Sequence, residues 1–355
     1  MNTKITGYIP ALDGLRALSI LLVFAGHIGL GNFVPGGLGV TTFFFISGFI
    51  ITNLLITEYN KSGTIRLKLF YIRRLLRLYP ALLLMLLLTT VFVLYLEHSL
   101  PWKELIAALF YFENYYFVSG YTHLTFYYKI LWSLAVEEHF YLVFPFLLLA
   151  LARKINVFFM ATVTLVVIAL LTRVYISYHY HANEYAFVQT YVLTHCRFDS
   201  ILYGCLLSII IHSRKGSHFL KVSTSLVTFI AGILLLLFTL IYKDEFFRQT
   251  FRYSLQGIAL LTIVTSILFN NRYHYLNQLL STRPLVYIGK LSYSIYLFHF
   301  LADMIAEEYT KNDPLLKVMM ITGITIVLSL CSYHLVEVPI LKVRRNFGSH
   351  VSAKA

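Results

Sequence analysis

Charge is scarce in this chain of 355 residues. Asp, Glu, Lys and Arg together make up 13%, against about 25% in soluble globular domains. Mean hydropathy is correspondingly high, at +0.73. A soluble fold of ordinary composition is excluded. Regular alternation of apolar and polar residues is also missing, and the apolar runs are continuous, so a β-barrel is excluded. Cysteine is rare, with Cys196, Cys205 and Cys331 in or beside apolar runs. They form no metal-type pair, and three cannot all pair with one another; they read as small packing residues. Internal repeats and low-complexity segments are absent, which leaves the symmetric halves of a transporter unsupported. Acids are the scarcer sign, 16 against 29 Lys and Arg, for a net charge of +13. That excess does not point to nucleic acid, because the basic residues sit in short loops between apolar runs and read as topology determinants. The first apolar segment lacks a small-residue cleavage site and contains Arg16 and His27, so it reads as an uncleaved first helix.

What is present is a series of runs near the roughly 18–20 apolar residues that cross a bilayer. Ten are expected, at about 10–30, 37–57, 76–96, 130–152, 155–177, 197–213, 219–242, 252–270, 288–306 and 316–341. The fold class is all-α: a polytopic transmembrane helix bundle filling residues 1–345, followed by a short polar tail at 346–355. The run at 197–213 is the shortest. The stretch 103–118 is aromatic but holds Lys103, Glu104, Glu113 and Asn114, and reads as a half-helix or interfacial segment. With the N-terminus in the cytoplasm, the inner loops collect Lys61, Arg66, Lys68, Arg73, Arg74, Arg153, Lys154, Arg214, Lys215 and Lys221. Arg272, Arg283, Lys290, Lys342, Arg344 and Arg345 extend that set. The outer loops hold Lys103, Lys129, Lys243, Arg248 and Lys311. The asymmetry satisfies the positive-inside rule with both termini cytoplasmic. The long outer connections 97–129 and 178–196 are rich in Tyr, His and Asn; they could shape an acceptor site or form an aromatic interfacial belt.

The stretch from Asp13 to His27 organises the rest. It is apolar enough to span, yet carries an acid, a guanidinium and an imidazole. At 100° per residue, Arg16 and His27 differ by about 20° and Asp13 lies about 40° from His27. All three share one face, spread over roughly 20 Å of helix axis. Ionisable groups in hydrocarbon are costly and mark bundle interiors. An imidazole titrates near neutrality, so a histidine here suits a general base or a transient acyl carrier. The glycine-rich segment from Gly29 to Gly39 is not a nucleotide loop, because no strand precedes it and it lacks the Lys-Ser/Thr ending.

A second cluster, Arg73, Arg74 and Arg77 followed by Tyr79-Pro80, can present one cationic face. Guanidinium groups suit phosphate, although a positive-inside cluster looks the same. In Ser133-Leu134-Ala135-Val136-Glu137-Glu138-His139, adjacent carboxylates point about 100° apart, so one is expected to face the interior. Glu137 could orient His27 or hold an acceptor hydroxyl; the bland alternative is an ion pair with Arg197. Arg197-Phe198-Asp199 forms the fourth cluster. Ser47-Gly48 suggests a close helix contact, with Ser47 weak as a nucleophile because no elbow pattern surrounds it. His299 reads as a packing or hydrogen-bonding histidine.

These motifs resemble one family, the acyltransferase family 3 integral-membrane O-acyltransferases, which include bacterial O-antigen and exopolysaccharide O-acetylases. The resemblance rests on Leu12-Asp13-Gly14-Leu15-Arg16 with His27, Phe43 to Phe49, Arg73 to Pro80, Ser133 to Tyr141, Arg197-Phe198-Asp199 and Gly289 to His299. It covers nearly the whole chain. Thr41 stands where many members place an acid, and His139 where Gln is common. Some members append an extracytoplasmic esterase-like domain; without one, a second transfer step would need another protein.

The resemblance implies transfer of an acyl group, acetyl above all, from cytoplasmic acetyl-CoA or another acyl-CoA to a hydroxyl of a cell-envelope glycan or lipid-linked saccharide. The bacterial cytoplasmic (inner) membrane would be the setting, with membrane lipids around the chain and no nucleic-acid partner. No permanently bound cofactor and no metal are expected. His27, Asp13, Arg16 and Glu137 would be catalytic. Arg73, Arg74, Arg77 and Tyr79 would bind the donor; Ser47, Glu138, Arg197 and Asp199 would bind the acceptor, with Glu137 near its outer mouth. The rival reading is a transporter or flippase of a lipid-linked sugar or small anion, using the charged stripe as its path.

Overall fold

Helix α1 (Pro10–Ala25) starts with proline at its first turn, where the missing N–H costs nothing. It runs into a wider turn, Gly26–Leu30, where Ile28 and Gly29 leave helical geometry and Gly29 takes φ +95°. The computed structural model describes residues 7–121, 126–213, 216–310 and 313–348. Arg214, Lys215, Lys311 and the tail beyond 348 lie outside the described residues. The chain continues through α2 (Gly36–Ser62), α3 (Leu67–Glu97), α4 (Trp102–Leu109), α5 (Glu113–Gly120), α6 (Trp132–Leu151) and α7 (Ile155–His179). Then come α8 (Glu184–Val192), α9 (Thr194–His212), α10 (Gly216–Ser223), α11 (Leu226–Ile241), α12 (Glu245–Gln249) and α13 (Phe251–Phe269). The last are α14 (His274–Leu280), α15 (Arg283–Thr310), α16 (Pro314–Cys331) and α17 (Val338–Arg345).

Among the described residues there is no strand, and nine helices are long and apolar enough to cross a membrane. A tenth crossing exists if the α10–α11 pair counts as one span. The continuous run expected at 219–242 is thus corrected: it is two helices bent by 69°. Ser223-Thr224-Ser225 explains the break. The Ser225 side chain accepts from the Thr228 backbone N–H and starts a new helix, because hydroxyl residues compete as caps with helix continuation. The stretch 103–118 is likewise two short helices, α4 and α5, neither long enough to span.

The core is made by close crossings of α2 with α9 and of α1 with α15. A Cβ on Gly48 would meet the Ile201 carbonyl at 1.9 Å, and one on Gly204 the Phe45 carbonyl at 1.9 Å. A Cβ on Gly289 would meet the Asp13 carbonyl at 1.9 Å. Without a hydrophobic force between helices in lipid, small residues that let backbones touch supply the packing. The expected contact at Ser47-Gly48 is therefore present. Large apolar side chains such as Leu87, Val91 and Ile241 stay exposed on the outer surface, as a lipid-facing surface requires. Cys196 and Cys205 are buried, whereas Cys331 is exposed rather than packed.

Two buried polar sites pin the scaffold. Arg173 of α7 meets Asp199 of α9 at 2.7 Å, donates through Nε to the Thr250 carbonyl at 3.0 Å, and reaches Ser254 of α13 at 2.7 Å. Outside the spans, Glu104 of α4 accepts from the Tyr127 and Tyr128 backbone N–H groups at 2.8 and 2.7 Å. Its neighbour Glu113 is buried as well. Burial holds both carboxyls above the usual carboxylate range, and Glu104 raises Glu113 further by its charge and by accepting its proton.

Candidate active site

Two hollows lie along α1. The first, here the arginine cavity, is lined by Arg16, Ser47, Arg74, Arg77, Glu137 and Tyr293, among others. Its empty space is about 780 Å³, counting the part that opens to solvent. The second, the histidine pocket, is lined by His27, Tyr191, Trp132 and the backbone of Gly26, Gly31, Gly36 and Gly37. Val40 and Tyr296 line both.

Three of the cavity's four charged groups, Arg16, Arg74 and Glu137, are held by a neighbour. Arg16 donates to Asp13 at 2.9 Å, and Asp13 also accepts from the Tyr8 hydroxyl at 2.5 Å. The spacing of one helical turn makes that pair local. Asp13 thus positions Arg16 and is itself buried. Glu137 accepts from Ser47 Oγ at 3.0 Å and from the Tyr141 hydroxyl at 3.0 Å. The Arg74 guanidinium lies 4.2 Å over the Tyr141 ring, an attractive cation–π geometry. The cavity therefore presents three guanidinium groups around one carboxylate.

His27 sits beyond the C-terminal end of α1, in the wider turn Gly26–Leu30. Its Nδ1 donates to the Val23 carbonyl at 2.8 Å. A carbonyl only accepts, so Nδ1 carries a proton, and in the neutral ring Nε2 is then the nitrogen with the free lone pair. The His299 ring stands 4.8 Å away, edge to face. His299 is fully buried, and its Nδ1 donates to the Tyr296 carbonyl at 2.7 Å.

Several expected partners lie elsewhere. Glu137 belongs to the arginine cavity and not to the histidine pocket, so it does not orient His27. Its expected ion pair with Arg197 is replaced by bonds to Ser47 and Tyr141. Arg73 lies only about 40° around the helix from Arg77, yet its guanidinium is taken up by other partners. It meets Glu58 at 3.8 Å and donates to the Phe347 carbonyl at 3.1 Å. Tyr79 gives its hydroxyl to the Leu109 carbonyl at 3.1 Å. Neither is among the cavity's lining residues. Glu138, Arg197 and Asp199 line neither hollow. Asp199 is committed to Arg173 and Ser254. Arg197 donates to Thr41 Oγ1 at 3.1 Å and lies 3.8 Å over the Tyr253 ring. An acid at position 41 would face that guanidinium, which is what the threonine here forgoes.

Sequence reasoning missed Arg173, Tyr191, Tyr293 and Tyr296. Arg173 was findable, since a guanidinium in mid-span needs a buried partner. The tyrosines had no such signal; an aromatic at a span reads equally as packing.

Fold and site define an integral membrane protein whose first helix joins a cationic cavity to a histidine pocket. The chain belongs to the acyltransferase domain family, whose pattern it matches over residues 9–334. A Staphylococcus aureus (strain COL) protein, provisionally named an O-acetyltransferase, is 32% identical over 357 residues, covering 94% of this chain and 58% of that relative. The peptidoglycan O-acetyltransferase OatA of Listeria monocytogenes (serovar 1/2a, strain EGD-e) is 29% identical, covering 94% and 56%. The O-acetyltransferase OatA of S. aureus (strain NCTC 8325) is 30% identical, covering 94% and 57%. The chain thus spans rather more than half the length of the curated relatives it matches. No solved structure matches it at a significant level.

Proposed function

We propose that this chain transfers an acetyl group from cytoplasmic acetyl-CoA to a hydroxyl of a cell-envelope carbohydrate, within the bacterial cytoplasmic membrane. The observation that carries the reading is the two-chambered site: α1 contributes Arg16 to a cationic cavity, and the wider turn that continues it contributes His27 to a second pocket beyond a common wall. The basic-loop asymmetry supports a cytoplasmic position for the cavity. A relative named for peptidoglycan O-acetylation supports a cell-wall glycan as acceptor.

Arg74, Arg77 and Arg16 hold the donor's phosphates through charge-assisted bonds. Glu137 keeps the cation set in order and offers an acceptor for the donor's polar groups. His27 Nε2 is the base. The thioester C–S bond breaks and an ester C–O bond forms to the acceptor hydroxyl. The hydroxyl proton passes to His27 Nε2 and then to the departing thiolate, which leaves as the CoA thiol. A positioned base of this kind contributes about 10²–10⁴-fold.

The test is transfer itself. Membranes containing the chain are incubated with acetyl-labelled acetyl-CoA. Label in a base-labile ester of the envelope glycan is the expected result. Label absent from glycan, with the protein present at normal levels, would refute the reading.

A further inference from the structure

The wall between the two chambers has a specific construction. Val40 of α2 and Tyr296 of α15 face both hollows, while Trp132 and Ser133, adjacent at the start of α6, face the pocket and the cavity respectively. The Tyr296 ring is buried. Its hydroxyl donates to the Ile130 carbonyl at 2.8 Å and accepts from Ser133 Oγ at 2.6 Å. Its backbone carbonyl accepts from His299 Nδ1 at 2.7 Å. Root and tip are both held, so the ring is a fixed panel. Val40 and Tyr296 are the two residues that the hollows have in common.

We propose that Tyr296, set against Val40, selects acyl length: the pinned ring leaves a slot that passes a two-carbon acyl group and stops longer ones. This rests on the donor reading above and adds the class of acyl group. Close packing makes such a slot intolerant of added carbons, and one methylene in a tight apolar site discriminates by about 10–200-fold. The phenol is suited to the task because swinging it aside breaks two hydrogen bonds at once, which a phenylalanine would not require.

The experiment compares kcat/KM for acetyl-, propionyl- and butyryl-CoA in wild type, Tyr296→Ala and Val40→Ala. Wild type should prefer acetyl strongly. Tyr296→Ala should raise the butyryl-to-acetyl ratio at least about tenfold. Val40→Ala widens the slot from the opposite side without touching the Ile130 or Ser133 bonds, and should raise the ratio in the same direction. An unchanged ratio in an active variant overturns the proposal, as does a wild type that uses all three donors equally. If Tyr296→Ala is inactive with every donor, Val40→Ala decides by the same criterion. Wild-type turnover of acetyl-CoA is the separate control: its absence brings down the donor reading, and the selector with it. Acetyl turnover with a flat length profile in every protein brings down the selector alone.

Discussion

The arginine cavity and the histidine pocket share a helix and a wall, yet they are built by opposite means. In the cavity, charged groups are fixed by side chains: Arg16 by Asp13, Glu137 by Ser47 and Tyr141, Arg74 by the Tyr141 ring. In the pocket, four glycines bring bare backbone to the lining, and His27 makes its hydrogen bond to the Val23 carbonyl, four residues before it in the chain. The contrast suits the two tasks proposed for them. Holding a polyanion needs preorganised charge, which works best in a low-dielectric, shaped site. Moving one proton needs a free lone pair and room for a hydroxyl beside it.

The largest expected effect breaks the pocket alone. His27→Ala should lower acetyl transfer by about 10²–10⁴-fold at normal protein levels, with donor binding retained. A variant that keeps its rate would remove His27 from the chemistry.

Next comes the scaffold that belongs to neither hollow. Asp199→Ala leaves Arg173 buried without its carboxylate, a loss of about 3–5 kcal/mol in comparable buried pairs. The expected readout is a lower melting temperature in detergent and less folded protein, with unchanged donor KM in the folded fraction. Normal stability with weakened acceptor use would instead return Asp199 to the acceptor site.

Within the cavity, Arg77→Ala should raise the donor KM by about 10–100-fold, the size of one lost charge-assisted contact. Arg73→Ala, one turn away on the same helix but outside the cavity's lining, should change it by less than about 3-fold, as for a partly exposed pair. Equal effects would erase the boundary drawn between Arg73 and Arg77.

The smallest effect concerns the Glu104–Glu113 pair beside the bundle. Burial raises both carboxyls above their ordinary 4.5, so the folded chain keeps protons that the unfolded chain releases. Stability then falls as pH rises from that ordinary value through the folded one. Glu113→Gln carries the proton's hydrogen permanently. It should flatten the decline in melting temperature between about pH 5 and pH 9; an unchanged slope would assign the pH dependence elsewhere.

Much of this was legible in the residues. The apolar runs marked the spans, and the stretch from Asp13 to His27 was singled out; Arg16 lines one hollow, and His27, in the turn after α1, lines the other. Arg74 and Arg77 were found as a pair three apart. What misled was proximity in sequence: Arg73 beside Arg74, Glu138 beside Glu137 and Asp199 near Arg197 all looked like members of one site. On a helix, adjacent residues point about 100° apart, and only packing decides which direction is a cavity. Glu137 shows the same limit in depth. Its place near the start of α6 suggested the acceptor side, but α6 meets α2 at Ser47, and that contact draws it into the arginine cavity.

The sequence by itself determined the class, the span count to within one bent helix, and the two ends of the α1 stripe. These depend on local quantities: hydropathy per run, loop charge and helical period. Tertiary structure alone decided which charges are spent on holding helices together and which face empty space. It also decided that Tyr296 stands between the chambers, because a wall exists only where side chains from α2, α6 and α15 converge, and no single stretch of chain contains that convergence.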